Sequence, residues 1–270
     1  MIPPLLTPAP TRVMGIVNVT PDSFSDGGDF ATTGAAVVQG RRLAAEGAAV
    51  IDVGGESTRP GAERVSEADE AARVVPVVAA LAAEGVAVSV DTMRASVAAQ
   101  AVEAGAVMVN DVSGGLADTA MLATVARLGC AYVAMHWRGH SATMADKARY
   151  DDVVADVTRE LLDRVRAAVV ARIEPELLVL DPGLGFAKTP EHSWELVRRA
   201  VEIQRIGLPV LWGASRKGFL AVPGDTPKDR DAASVEVTAR LAELGVWAVR
   251  THTVPDHLAA VAAATAKGAP

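Results

Sequence analysis

Residues 50–56 read VIDVGGE, residues 86–91 read VAVSVD and residues 107–111 read VMVND. Each stretch is a short apolar run, rich in valine, that ends on acidic, amide or glycine residues. A stretch with helical periodicity follows each run, and a glycine such as Gly85 or Gly105 separates that stretch from the next run. The pattern predicts strands that alternate with helices along the chain.

The same pattern recurs over the whole sequence. Further runs of this kind cover residues 13–18, 131–136, 177–181, 209–217 and 246–252. The predicted helices cover residues 34–46, 67–84, 95–103, 118–127, 153–172, 192–205, 229–243 and 256–266. About eight strand and helix units in strict alternation favour a parallel sheet covered by helices. We therefore predict an α/β protein with a (β/α)8 TIM barrel, although periodicity also permits a doubly wound open sheet.

Length and composition are typical of one globular domain. The 270 residues are 50% hydrophobic and 22% charged, and a barrel of that size needs only one core. We expect residues 1–270 to form a single domain, with residues 1–11 as a flexible N-terminal extension. Because no apolar run approaches the roughly 20 residues of a membrane helix and no export signal is recognisable, a cytoplasmic protein without a membrane partner is predicted.

Charge and cysteine content argue against two other classes of protein. The net charge of −7 disfavours a nucleic-acid partner, because such proteins neutralise phosphates with basic residues. Cys130 is the single cysteine, so an intrachain disulfide cannot form, and we interpret it as a small buried hydrophobe rather than a nucleophile. Any anion must therefore be bound by a local group of basic residues.

Polar residues at the predicted strand ends are the candidate functional residues, because the carboxyl ends of barrel strands face one cavity. Three of these ends carry Asp91, Asn110 with Asp111, and Asp181. A carboxylate accepts from adjacent N–H and NH2 groups of a heterocycle, and an asparagine amide both donates and accepts. These residues indicate recognition of a planar, amidine-like edge. The alternative is that Asp91 and Asp111 cap the helices that follow.

Two basic clusters end the seventh and eighth runs, with SRK at residues 215–217 and RTH at residues 250–252. Barrels often bind phosphate at this corner. The loop over residues 52–61, DVGGESTRPG, adds glycines that permit close backbone approach and the planar guanidinium of Arg59. The alternative for this loop is a tight turn in which Arg59 pairs with a neighbouring glutamate.

Two more strand ends carry polar side chains. Asn18, followed by Thr20, Asp22 and Ser23, offers hard oxygen atoms of the kind that Mg2+ prefers, although a structural turn is the competing interpretation. His136 ends the fifth run, and we interpret it as a residue that supports a neighbouring loop.

Motifs in chain order resemble those of the dihydropteroate synthase family. They are NVTPDSFSDGG at 18–28, DVGGESTRPG at 52–61, SVDT at 89–92, NDVSGG at 110–115, MHW at 135–137, DPGLGFAK at 181–188, SRK at 215–217 and RTH at 250–252. The resemblance implies a folate-pathway enzyme that joins 4-aminobenzoate to 6-hydroxymethyl-7,8-dihydropterin diphosphate, giving 7,8-dihydropteroate and diphosphate. It also implies a Mg2+ ion and a homodimer.

The resemblance further implies roles for individual residues. The expected pterin contacts are Asp91, Asn110, Asp181, Lys217, Met135 and Phe186. The expected contacts of aminobenzoate are Phe24, Thr58, Arg59, Pro60, Ser215 and Lys217. Asn18 is expected to contact Mg2+ and diphosphate, and Arg250 and His252 to contact diphosphate. The residues expected to contribute to catalysis are Asp91, Asp181, Lys217, Arg250 and His252.

Two features depart from the family pattern: Thr253 stands where an aspartate is usual, and the stretch over residues 218–231 is short. Neither removes an expected ligand, but both leave open a weakly active or inactive pterin-binding paralogue. A methyltetrahydrofolate-binding methyltransferase, which is similar in its pterin-binding barrel, is disfavoured because it needs no diphosphate site. Residues 57–65 carry no obvious insertion, so we expect sensitivity to sulfonamides, which mimic 4-aminobenzoate.

Overall fold

Parallel strands form one sheet that curls into a barrel. The computed structural model of the protein describes residues 4–7, 9–20, 28–57, 64–140 and 142–268, and only the backbone at 28–32 and 268. The strands are β1 (Arg12–Asn18), β2 (Val50–Gly54), β3 (Val88–Asp91), β4 (Met108–Asp111), β5 (Ala131–Met135), β6 (Leu178–Asp181), β7 (Leu211–Trp212) and β8 (Ala248–Thr251). Their order is β6-β5-β4-β3-β2-β1-β8-β7. A parallel bridge between Leu180 and Val210 joins the two ends of this order and confirms the predicted (β/α)8 barrel.

Helices between the strands form the outer layer. They are α1 (Gly28–Ala45), α2 (Glu67–Ala83), α3 (Ala95–Glu103), α4 (Met121–Leu128), α5 (Val153–Val170), α6 (Pro190–Arg198), α7 (Ala200–Gln204), α8 (Asp231–Glu243) and α9 (Val254–Gly268). The Ser66 and Asp152 side chains cap α2 and α5, and Gly129 ends α4 at a φ of 63°. Among the described residues, no helix combines the length and apolar character needed to cross a bilayer.

Two predicted elements need correction. The strand predicted over residues 209–217 ends at Trp212, because the chain then turns and the Lys217 amide donates to the Ala214 carbonyl at 3.2 Å. The helix predicted over residues 192–205 is interrupted at Arg199, where φ is −104° and ψ is 25°. The Arg199 guanidinium binds the Asp152 carboxylate at 3.1 Å, which ties this break to the start of α5.

The pleat of the strands separates two sets of side chains, since residues two apart on a strand share a face. One face of each strand packs under the helices in the main core, as Ile51, Val90 and Leu180 do. The opposite face, near the amino ends of the strands, contributes to a separate apolar cluster inside the barrel. This inner cluster consists of Leu6, Met14, Val50, Met108, Ala131, Val133, Val179, Leu211, Trp247 and Ala248.

The N-terminal segment closes the same end of the barrel. Residues Pro4–Leu6 form a 3-10 turn, and Leu6 is buried in the inner cluster. The Trp247 indole donates to the Leu5 carbonyl at 3.0 Å, and Thr11 Oγ1 donates to the Val246 carbonyl at 2.8 Å. The expectation of a flexible extension over residues 1–11 is therefore wrong for the part that the structure describes, because that part packs onto the barrel.

Candidate active site

Side chains from four strands meet inside the barrel at the carboxyl ends. Asp52 Oδ2 accepts from Arg250 Nε at 2.6 Å and from Asn110 Nδ2 at 2.9 Å. Arg250 Nη2 donates to Asp91 Oδ2 at 2.7 Å. We call Asp52, Asp91, Asn110 and Arg250 the floor network. One guanidinium and one fully buried carboxylate thus connect β2, β3, β4 and β8.

Burial controls the electrostatics of the floor network. It raises the pKa of Asp91 to about 7, and the Arg250 cation opposes this shift while the Asp52 and Glu70 carboxylates add to it. Asp52 Oδ1 is buried and has no hydrogen-bond partner among the described residues. A carboxylate with a pKa near neutrality ionises readily when a ligand offers it hydrogen-bond donors.

Asp181 and Lys217 form the neighbouring wall of the cavity. Asp181 ends β6, and its Oδ1 accepts from the Gly183 amide at 2.7 Å. Lys217 Nζ donates to the Leu184 carbonyl at 2.6 Å. Burial lowers the pKa of Lys217 to about 8, whereas the carboxylates of Asp181 and Asp91 oppose that shift. Lys217 lies next to Arg250 of the floor network, because a Cβ built on Gly213 would lie 3.6 Å from Lys217 Nζ and 3.9 Å from Arg250 Cβ.

An apolar surface lies beside these charged groups. It consists of Met93, Val112, Met135, Ala117, Trp137 and Phe186. Lys217 Nζ lies 4.8 Å from the centroid of the Phe186 ring, so the apolar surface and the charged wall are contiguous. The predicted lining residues Met135 and Phe186 belong to this surface. Apolar side chains next to fixed polar groups suit a flat heterocycle with a polar edge.

The remaining predicted residues lie at the rim or outside the described residues. Ser215 Oγ is 2.9 Å from His252 Nδ1 and accepts from the His252 amide at 3.2 Å, which joins the ends of β7 and β8. Asn18 ends β1 and lies in register with Gly54 of β2. The predicted aminobenzoate contacts Phe24, Thr58, Arg59 and Pro60 lie outside the residues that the structure describes.

Asp111 lies outside the cavity although it follows Asn110 directly. Its Oδ1 accepts from the Ser113 amide at 2.8 Å, and its Oδ2 accepts from Tyr132 Oη at 2.8 Å. It therefore stabilises the turn after β4, and the hypothesis that it meets a ligand beside Asn110 is wrong. The alternative that Asp91 caps a helix is also wrong, because the N-cap of α3 is Arg94.

Asp52 is the residue whose importance the sequence reasoning missed. It appears there only as the first residue of a ligand loop, whereas the structure places it at the centre of the floor network. A signal was available, because Asp52 shares a strand face with Val50 inside an apolar run. A carboxylate at such a position needs partners from other strands to offset its burial.

Comparison with known proteins identifies the family. The model of the family described as pterin binding enzyme matches residues 14–252. The dihydropteroate synthase of Mycobacterium leprae is 50% identical over 254 residues, which cover 91% of this chain and 89% of that protein. The chain belongs to the dihydropteroate synthase family. Its predicted reaction class, a transferase of folate biosynthesis that forms dihydropteroate, is thereby confirmed.

Solved structures of the dihydropteroate synthase family agree with this membership. The Xanthomonas albilineans enzyme with 4-aminobenzoic acid has a TM-score of 0.90 and 43% identity, covering 97% of this chain and 94% of that chain. The same enzyme in complex with 7,8-dihydropteroate has a TM-score of 0.88 and 40% identity, covering 98% of this chain and 96% of that chain. The barrel described above is therefore the family fold.

Proposed function

We propose that this member of the family holds 6-hydroxymethyl-7,8-dihydropterin diphosphate with Asp91, Asn110, Asp181 and Lys217, and that 4-aminobenzoate attacks its methylene carbon. One observation carries the proposal: the Arg250 guanidinium binds Asp91 and the Asp52 carboxylate that also holds Asn110. Lys217 Nζ lies beside Arg250, since a Cβ built on Gly213 would lie within 4 Å of both side chains. The carboxylates suit the N–H and NH2 donors of a pterin edge, and the Asn110 amide can donate or accept beside them.

The charges that develop in the reaction match the charges of the cavity. When the bond between the methylene carbon and diphosphate breaks, positive charge spreads over the pterin and negative charge leaves with diphosphate. Asp91 and Asp181 stabilise the pterin charge electrostatically, and this effect is strong where water is excluded. The neutral aromatic amine supplies the nucleophile, so the protein needs none, which agrees with Cys130 being buried.

Arg250 and His252 are proposed to receive the departing diphosphate. Two Arg250 nitrogen atoms bind Asp52 and Asp91, and Nη1 has no hydrogen-bond partner in the described part of the chain. The Ser215 hydroxyl fixes His252 at the adjacent strand end. A guanidinium held from behind by two carboxylates is oriented before the anion arrives, which lowers the cost of ordering it.

A Mg2+ ion fits this site on the chemistry of its donors. The described residues contain no group of three or more acidic, histidine or cysteine side chains that could hold a metal by themselves. Magnesium commonly takes one or two protein oxygens and completes its shell with substrate phosphates and water, and the Asn18 amide oxygen is such a ligand at the rim. When bound, the ion supplies charge that stabilises the leaving diphosphate.

The aminobenzoate end of the site is proposed on the family resemblance. Ser215 and Lys217 lie on the described side of the rim, and Phe24, Thr58, Arg59 and Pro60 are proposed to complete it. Sensitivity to sulfonamides stays a prediction for this chain. A solved Yersinia pestis dihydropteroate synthase, 38% identical to this chain, was studied in complex with a sulfonamide drug, which supports testing it.

The proposal is tested by measuring phosphate release through a coupled pyrophosphatase, with and without 4-aminobenzoate. Release that requires both substrates, with 7,8-dihydropteroate detected as the product, supports the proposed function. Pterin binding without release indicates the inactive paralogue and overturns the proposal. Transfer of a methyl group from methyltetrahydrofolate, without use of the diphosphate substrate, indicates the methyltransferase and also overturns it.

A homodimer in the cytoplasm is proposed as the working state. The dimer is proposed on the family resemblance, and Val170 on α5 and Val201 on α7 are exposed apolar side chains. The reducing environment of the cytoplasm suits the unpaired Cys130. Sedimentation at several protein concentrations tests the dimer, and a monomer at all of them contradicts it.

A further inference from the structure

Lys188 ends the DPGLGFAK motif, and the roles proposed above leave it without a function. Its Nζ donates to the Phe186 carbonyl at 2.9 Å and lies 2.9 Å from His136 Nδ1. Burial lowers the pKa of Lys188 well below its ordinary value, and the Asp181 carboxylate opposes that shift. A lysine ammonium withdrawn from water is costly, so these contacts indicate a specific role.

The hydrogen bonds around His136 fix the direction of this contact. His136 Nε2 is 2.9 Å from Glu160 Oε2, and Arg138 Nε donates to the same oxygen at 3.1 Å. Burial, helped by the Lys188 cation, lowers the pKa of His136 to about 4, so the ring is neutral near pH 7. A neutral ring has one N–H, and the Glu160 carboxylate can only accept. His136 therefore donates from Nε2, and Nδ1 accepts from Lys188.

One partner of Lys188, Phe186, belongs to the loop over residues 182–187, and the other, His136, follows the end of β5. This loop packs closely on the end of β5, because a Cβ built on Gly183 would lie 2.6 Å from the His136 carbonyl oxygen. Gly183 has a φ of 68° and Ala187 a φ of 47°, and the strained Ala187 is held by Tyr150 Oη, which donates to its carbonyl at 2.9 Å. Lys188 thus ties a strained loop to the end of β5.

The same loop contributes two groups to the part of the cavity that is proposed to bind the pterin. The Leu184 carbonyl accepts from Lys217 Nζ at 2.6 Å, and the Phe186 ring lies 4.8 Å from that atom. A shift of the loop moves both contacts together. The Lys188 cation also opposes the rise that burial causes in the pKa of the Asp181 carboxyl.

We infer that Lys188 is a positioning residue, which through His136 and the Phe186 carbonyl holds the 182–187 loop in the conformation that binds the pterin. The inference rests on the proposed function, because the ligand it concerns is the pterin substrate. Lys188 touches no reacting atom in this scheme and acts through Phe186, Leu184 and Lys217.

The first test replaces Lys188 by methionine, which keeps the chain length and removes the donor. With 6-hydroxymethylpterin as the probe, followed by its fluorescence, we expect the Kd to rise about tenfold. The KM for 4-aminobenzoate is expected to change by less than about threefold, since of its proposed contacts that the structure describes only Lys217 touches the 182–187 loop. The exposed Lys267, which pairs with Glu243, gives the control Lys267→Met, for which both constants should equal the wild-type values.

The second test keeps Lys188 and changes its acceptor. His136→Asn retains an acceptor near the Nδ1 position, whereas His136→Leu removes it, so pterin affinity should be near the wild-type value in the first and about fivefold weaker in the second. In the double variant Lys188→Met with His136→Leu, the loss should be smaller than the sum of the single losses, because both remove one contact.

Specific outcomes overturn the inference. Equal pterin affinities in His136→Asn and His136→Leu show that the acceptor is irrelevant, and a Lys188→Met protein with a lower Tm but unchanged pterin Kd shows a purely structural role. Failure of the proposed function is recognised separately, since the wild-type enzyme then forms no 7,8-dihydropteroate from the two substrates.

Discussion

The two ends of the barrel interior are built from the same strands but from opposite kinds of side chain. On β4, Met108 belongs to the inner apolar cluster, and Asn110 two residues later joins the floor network. On β6, Val179 and Asp181 show the same change. The pleat keeps each pair on one face, so only two residues along a strand separate the inner apolar cluster from the candidate active site.

The difference shows how stability and chemistry are distributed along a barrel strand. Burying the apolar end removes hydrocarbon from water and stabilises the fold. Burying Asp52, Asp91 and Arg250 costs desolvation energy that their mutual contacts offset only in part, as the raised pKa of Asp91 indicates. The charged end is therefore the end at which a ligand can contribute the missing contacts.

Removal of the central carboxylate should have the largest effect. Asp52→Ala leaves Arg250 with one carboxylate and leaves the Asn110 amide without its acceptor. Breaking a buried ion pair from one side costs about 3 to 5 kcal/mol, which urea unfolding measures. Glu84→Ala, which removes an exposed pair with Arg41, is the control and should leave the unfolding midpoint unchanged. Equal midpoints for the two variants would contradict the importance of the floor network.

A matched pair on β4 sharpens the comparison between the two ends. Met108→Ala should lower the free energy of unfolding by about 2 to 5 kcal/mol and leave kcat/KM near the wild-type value at a temperature where the variant is folded. Asn110→Ala should cost only about 1 kcal/mol of stability but weaken pterin binding about tenfold. If both variants lose stability and binding in the same proportion, the division between the ends is wrong.

Asp181 and Asp111 make a second pair, in which only one carboxylate faces the cavity. Asp181→Asn should lower kcat/KM by about one to two decades, because a charge-assisted hydrogen bond is worth about 1.5 to 3 kcal/mol. Asp111→Asn should lower the free energy of unfolding, because Asp111 holds the turn through Ser113 and Tyr132. It should leave kcat/KM of the folded enzyme unchanged. If steady-state kinetics give the Asp181→Asn variant the wild-type kcat/KM, Asp181 has no part in the mechanism.

The smallest effect concerns pH. Because burial raises the pKa of Asp91 to about 7, the carboxyl group is protonated below that pH and accepts fewer hydrogen bonds. Pterin affinity should rise with pH through about 7 and then level off, and should be about tenfold weaker one unit below that pKa. Asp91→Asn should bind weakly with no such pH dependence. If calorimetry shows the same dependence of pterin affinity on pH in the wild-type protein and in Asp91→Asn, another group is the one that ionises.

Much of the site could be predicted from sequence because strand ends are marked by a change from apolar to polar residues. Asp91 and Asp181 end β3 and β6, as this change predicts, although the seventh strand is much shorter than its apolar run. Asp111 follows Asn110 directly, but its carboxylate binds the turn after β4, and the polar residue type at a strand end does not reveal which partner it binds. The central place of Asp52 does not follow from a local pattern, because its partners come from β4 and β8, which are distant in sequence.

The sequence by itself determined the alternation of strands and helices, the strand faces and the chemical groups at the strand ends, because these follow from local periodicity and side-chain type. Only the tertiary structure decided that one arginine bridges Asp52 and Asp91, and that Lys188 reaches His136 across 52 residues of chain. Hydrogen-bond partners depend on distances of a few ångströms between separate strands, and chain closure fixes those distances, which no local pattern encodes.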